Sequence, residues 1–152
     1  MKNYEDLIGD FINQGAHRDV YAHKYDDNLV IKKQKNKRKH HNKSEYLAYN
    51  EAKKFGIDHW LAPVIEISDC GGFLIQVRGE PVKSGERPKK VPKWLSCDNT
   101  GPNQWVWINN RVVKCDFDNN EYYNLKNMRE MIRMFKSKNQ CANELKDFLE
   151  NF

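Results

Sequence analysis

Asp98 and Asn103 stand five residues apart, and Asp116 follows thirteen further on behind the strand-like run R-V-V-K-C. The chain thus reads acid, amide, acid. That order suits phosphoryl transfer, in which one carboxylate orients an acceptor hydroxyl and takes its proton. The amide and second carboxylate then hold the metal ions that neutralise triphosphate charge. A plainer reading competes at the same positions: Asp98 followed by N-T-G-P is also the composition of an ordinary turn, and Asp116 can serve as a cap where a strand leaves its sheet.

A lysine able to meet phosphates is the next requirement. Lys32 closes the apolar run Leu29-Val30-Ile31, which turns it toward the interior of a strand, although it also opens the basic run K-K-Q-K-N-K-R-K-H-H-N-K from Lys32 to Lys43. This run carries much of the formal net charge of +5 and reads as a solvated connection, or else as a patch that attracts phosphate or nucleic acid by counterion release. It has no interleaved aromatics for stacking on bases. His17, His23, His40, His41 and His59 share no regular spacing, and Cys70, Cys97, Cys115 and Cys141 form no C-x-x-C pair, so reduced structural thiols are expected.

With 152 residues, 39% hydrophobic and 12% aromatic, the chain has enough apolar material for one domain or two small lobes sharing a cleft. No window approaches the length of a membrane span and the first residues lack an apolar signal core, so a cytosolic protein without a membrane partner is expected.

The elements that must position these residues follow from periodicity. Residues 4–12, with Leu7, Ile8, Phe11 and Ile12, suit a short helix or a first strand equally. Residues 19–33 read as a hairpin turning at D-D-N, and Ser44 is a plausible N-cap for a helix from about Lys43 to Phe55, stopped by Gly56. Val64–Ile67 and Phe73–Val77 flank an S-D-C-G-G turn as a second hairpin. Residues 79–93 break both periodicities and act as a connection. Trp105–Ile108 and Arg111–Cys115 form a third hairpin across Asn109-Asn110, a pair suited to positive φ at both positions. Two helices, about Leu125 to Lys136 and Ala142 to Phe152, close the chain.

Strand-rich hairpins around one helix, a connection, then an Asp–Asn–hairpin–Asp segment resemble a protein-kinase-like fold. The text V-I-K at Val30 to Lys32, with N-K-S-E-Y, L-A-P-V, G-G-F-L-I-Q-V-R-G-E-P-V and the D…N segment, is similar to compact kinase-like proteins encoded by bacteriophages, over residues 8 to about 118. The resemblance implies an α+β fold: a β-rich N-terminal lobe with one helix (1–79), a linker (80–93) and a reduced C-terminal lobe of a β-hairpin and two helices (94–152). It implies ATP and Mg2+ as ligands. Lys32 would pair with phosphates and be held by Glu45, in preference to Glu51, with the hinge at Val77 and the acceptor oriented by Asp98. Asn103 and Asp116 would hold the metal.

Several positions depart from that pattern. Of the three glycines of the phosphate loop only Gly15 remains, with Asn13 and Arg18 at the other places, so Arg18 either donates a charged fork to phosphate or covers the sheet. Asp116-Phe117-Asp118 carries a carboxylate where a glycine is usual, and 34 residues follow Asp118, too few for a helical peptide-docking lobe. Trp105 falls where the adenine floor is usually placed. Two functions are therefore expected from the same residues: a minimal ATP- and Mg2+-dependent kinase acting on a hydroxyl acceptor, or a catalytically inactive (pseudokinase) module that binds and modulates a host protein.

Overall fold

The computed structural model describes residues 1–36, 38–92, 94–95, 102–117 and 124–130. Its class is α+β, with eight strands in two antiparallel sheets and helical residues at 41–55 and 124–130. The larger sheet has the order β1-β2-β3-β5-β4, from β1 (Ile8–Gln14), β2 (Arg18–His23), β3 (Asp26–Gln34), β4 (Val64–Ile67) and β5 (Phe73–Val77). The smaller sheet has the order β6-β7-β8, from β6 (Glu80–Pro81), β7 (Trp105–Ile108) and β8 (Arg111–Lys114). Among the described residues no helix is long and apolar enough to cross a membrane.

The ambiguous N-terminal segment is both things in turn, a 3₁₀ turn over Tyr4–Leu7 and then β1. The first hairpin does not turn at D-D-N. Its turn is Lys24-Tyr25, and Asp26 already pairs with His23 across the ladder. β3 therefore starts at Asp26, paired with β2, and continues through Leu29 to Lys33 in unbroken register with β5, against the turn preference of Asp26, Asp27 and Asn28. The third hairpin has the expected geometry, with φ of 48° at Asn109 and 61° at Asn110 and ladder pairs from Ile108–Arg111 to Trp105–Lys114.

The helix α1 (His41–Phe55) begins three residues before the expected cap: His40 is the N-cap and Ser44 lies inside the first turn. Its C-terminus closes on Gly56 at φ 70°, with Gly56 N–H on the Lys53 carbonyl and Ile57 N–H on the Ala52 carbonyl, a left-handed closure that glycine adopts at no steric cost. One buried stripe runs Asn42, Glu45, Ala48, Tyr49, Ala52, so the helix is polar where it is buried near its start and apolar near its end. The apolar end joins Leu61, Leu74, Trp94, Leu95, Trp105, Phe117, Leu125 and Met128 in a core that spans both sheets.

The basic run is not one solvated connection. Lys32 and Gln34 are buried in β3, and His41 and Asn42 are buried at the start of α1. The 80–93 connection likewise starts as structure, because β6 pairs Glu80 with Trp107 and Pro81 with Val106. A second link between the sheets lies at Leu61, which bridges Lys114, and at Ala62, whose N–H donates to the Lys114 carbonyl at 2.8 Å.

Candidate functional site

Pairing in an antiparallel ladder puts opposed residues on one face, and alternate residues of each strand share that face. Val20 opposes Lys32, Arg18 opposes Gln34, Val30 opposes Gln76 and Lys32 opposes Leu74. Arg18 and Val20, with Val30, Lys32 and Gln34, therefore project to the same side. This side faces a cleft of about 870 Å³ between the two sheets.

The cleft has two unlike ends. Val30, Val82 and Val106 make an apolar slot, and Val77, which pairs with Leu29 on the alternate face of the ladder, borders it where β5 crosses to the smaller sheet. Lys32 stands one pleat repeat further along β3, roughly 7 Å on, and there the lining becomes Arg18, His17, His41, Asn103 and Asp116. Trp105 is 6% exposed, belongs to the core and forms part of the wall, leaving the cleft open. A Cβ on Gly79 would stand 2.5 Å from Val106 Cβ and 2.7 Å from the Trp107 carbonyl, so close backbone approach at the crossover requires this glycine.

At the polar end, fully buried Glu45 uses both carboxylate oxygens. Lys32 Nζ donates to Oε1 at 2.5 Å, while Oε2 accepts from Arg18 Nη2 at 2.7 Å and from the Phe117 N–H at 3.2 Å. Lys32 also donates to the Cys115 carbonyl. Arg18 Nη2 reaches Asp116 Oδ1 at 2.5 Å, and Nη1 reaches Asn42 Oδ1 at 3.3 Å. Asn42, itself fully buried, donates to the carbonyls of Lys32 (3.2 Å) and Gly71 (3.1 Å) and so ties the start of α1 to β3 and to the β4–β5 turn. The chain directly after β8 is thus bound to β2 through the Arg18 guanidinium, to β3 through the Lys32 ammonium and to α1 through the Glu45 carboxylate.

Partial burial pushes the Asp116 carboxyl up, but Lys32, Arg18 and Lys114 outweigh it and hold the group below the usual carboxylate range. Burial pushes the Cys115 thiol up to about 11 despite the nearby Lys32. Its Sγ–H donates to the Asn103 carbonyl at 3.4 Å, and its N–H donates to the Gln104 carbonyl at 2.8 Å, which fixes the 102–104 turn beside Asp116.

Of the residues singled out from sequence, Lys32, Glu45, Arg18 and Asp116 come together in one bonded cluster, and Gly15, Val77 and Asn103 line the same cleft. Asp98 lies outside the described residues, as do Cys97, Asp118 and positions 131–152. Glu51 pairs instead with Arg129 and Lys54, fastening α1 to residues 124–130. Arg18 neither points a free fork at the cleft nor merely covers the sheet; it is 7% exposed and shared between two carboxylates.

Four participants escaped the sequence reading. Gln34 carries the inward alternation Val30–Lys32–Gln34 one step further and was legible from strand period. Asn42 sits in a charged run with no local signal. His17 and His41 stack at a 4.0 Å centroid distance, 24 residues apart in sequence, so spacing does not reveal them.

The lining combines the apolar Val30, Val82 and Val106 with the charged and polar Arg18, Lys32, Asn103 and Asp116. Asn103 and Asp116 line the same part of the cleft, and Asp116 gives its Oδ1 to the Arg18 guanidinium, so a divalent ion held there would share that carboxylate with Arg18. No protein-family model matches the chain, and no curated protein matches it.

Proposed function

We propose that the chain is a kinase-like nucleotide-binding protein, and that binding is its primary activity. The base lies in the slot of Val30, Val82 and Val106, bordered by Val77, and the phosphates lie toward Lys32 beneath the Gly15 turn. The observation that carries this reading is the buried Lys32–Glu45 pair facing a cleft that is apolar at one end and cationic at the other. The shared Arg18–Asp116 contact favours a module that binds nucleotide without transferring phosphate and modulates a host protein, in keeping with the resemblance to phage-encoded proteins.

Phosphotransfer to a hydroxyl acceptor is the second reading. It is favoured by the Asp116 side chain, 48% exposed and lining the same cleft as Asn103. In that reading Asp98 orients the acceptor hydroxyl.

Thermal unfolding with and without ATP tests the primary reading. A ligand at about a hundred times its dissociation constant stabilises by about 2.7 kcal/mol, which is roughly 5–10 °C for a chain of this size. The rise is expected in the wild-type chain and lost in Lys32→Met, each compared with its own ligand-free midpoint. An unchanged midpoint for wild type, in EDTA and in magnesium alike, removes the nucleotide reading. Phosphate release or transfer from γ-labelled ATP that Asp116→Asn abolishes decides for the second reading.

A further inference from the structure

We propose that the small pocket beside the Gly15 turn is a second binding site, one that takes a phosphate-type oxyanion. It does not require the nucleotide reading above. The pocket holds about 190 Å³ and is lined by His17 of the turn between β1 and β2, by Lys35, Asn36 and Lys39 of the chain after β3, and by His41. Among the described residues no carboxylate lines it. A water takes up roughly 30 Å³ in the liquid, so the space admits a tetrahedral oxyanion with part of its hydration.

Both walls are fixed from within. Gln34, buried at the end of β3, donates through Nε2 to the Asn36 carbonyl at 2.8 Å and to the Lys39 carbonyl, while its Oε1 accepts from the Asn42 N–H at 3.2 Å. The chain carrying Lys35, Asn36 and Lys39 is thus folded around one buried amide. On the other side the Lys35 N–H donates to the His17 carbonyl at 3.0 Å and Lys35 Nζ donates to the Gly15 carbonyl at 2.8 Å, which fastens the turn to the end of β3. His17 then stacks on His41 with ring centroids 4.0 Å apart and planes 9° from parallel.

Donors remain for a guest. Lys35 shares its ammonium with Asp19 at 3.5 Å, in a pair whose side chains are about a third exposed and which contributes little. Among the described residues Lys39 makes no ion pair and the His17 imidazole makes no hydrogen bond. Two ammonium groups and an imidazole N–H, brought to one small space by separate segments, suit an anion whose oxygens diverge in several directions.

The experiment titrates inorganic phosphate into the intact chain at constant ionic strength, followed by calorimetry. Saturable binding is expected in wild type, weakened at least about fivefold by Lys39→Ala and by His17→Ala. Both positions are exposed, so both variants keep the fold. Lys33→Ala removes a charge from the other face of β3, where Lys33 pairs with Glu5, and is expected to change phosphate binding by less than about twofold. Equal losses in Lys33→Ala and Lys39→Ala overturn the proposal, because they mark attraction by general charge. Loss in Lys32→Met with none in Lys39→Ala also overturns it, by moving the phosphate into the cleft. So does a wild-type chain without saturable binding, whether or not ATP binds.

ATP titrated into the same variants tells the source of the phosphate. An ATP affinity that Lys39→Ala leaves unchanged, beside a phosphate affinity that it lowers, supports a site for a free oxyanion. A parallel loss for ATP supports a site for the phosphate tail of a cleft ligand, since His17 and His41 line both spaces. Phosphate binding that Lys39→Ala weakens, in a chain that takes no ATP, supports this site and removes the nucleotide reading alone.

Discussion

Replacing Glu45 by glutamine keeps the shape of the side chain and removes its charge. In the native chain this carboxylate is fully buried and accepts from Lys32, Arg18 and the Phe117 N–H. Breaking a buried ion pair from one side costs about 3–5 kcal/mol, mostly because the remaining charge is left uncompensated. Two cations would be left here, but Arg18 keeps Asp116 and Lys32 keeps the Cys115 carbonyl, so the lower end, about 3 kcal/mol, applies. At roughly 2–4 °C per kcal/mol this lowers the midpoint by about 6–12 °C. Urea unfolding is the assay, with a reduced midpoint and an unchanged slope marking a loss of stability rather than a change in the unfolded ensemble. The control is Lys33→Ala, which breaks the Lys33–Glu5 pair whose side chains are 39% and 55% exposed and is expected to cost at most about 1 kcal/mol. A Glu45→Gln loss no larger than that of the control refutes the view that this carboxylate organises the cluster.

Asp116 is held below its ordinary range when folded, so its contribution to stability is complete above about pH 4 and is lost as pH falls through its folded value. The stability difference between wild type and Asp116→Asn should therefore shrink from pH 6 toward pH 3 in urea titrations, and a constant difference refutes the assignment. Cys115, pushed up to about 11, should label far more slowly with iodoacetamide than exposed Cys70. At pH 8 only about a thousandth of such a thiol is ionised against about a quarter of an ordinary one, and peptide mapping reads the two rates. Gly79→Ala places a methyl against Val106 and the Trp107 carbonyl, so it should cost more than about 1 kcal/mol and weaken ATP binding. Full retention of both stability and binding would show that the crossover yields easily.

Much of the scaffold was legible in the chain because local signals agreed with the tertiary result. The run Leu29 to Lys32 formed a strand with its lysine inward, Gly56 ended the helix, and Asn109-Asn110 supplied the two positive φ values of a tight turn. The misplaced elements are those where a local preference lost to partners elsewhere in the chain. Asp26, Asp27 and Asn28 favour a turn, but the chain turns earlier at Lys24-Tyr25 and Asp26 pairs with His23 of β2, so these residues begin β3. Ser44 favours a cap, but Asn42 and Gln34 anchor an earlier helix start through a bond between the Asn42 N–H and the Gln34 side chain. Arg18 was recognised as a departure, while its two carboxylate partners lie 27 and 98 residues away, beyond any local pattern.

The sheets are stitched together twice, by the covalent passage through Gly79 and by the backbone bond from Ala62 to Lys114. A jaw that swings needs one free side, and two seams remove it. The guest space is therefore a slot cut to size when the chain folds. For the proposed nucleotide this predicts a small ordering cost on binding, because both borders of the cleft are already tied by backbone.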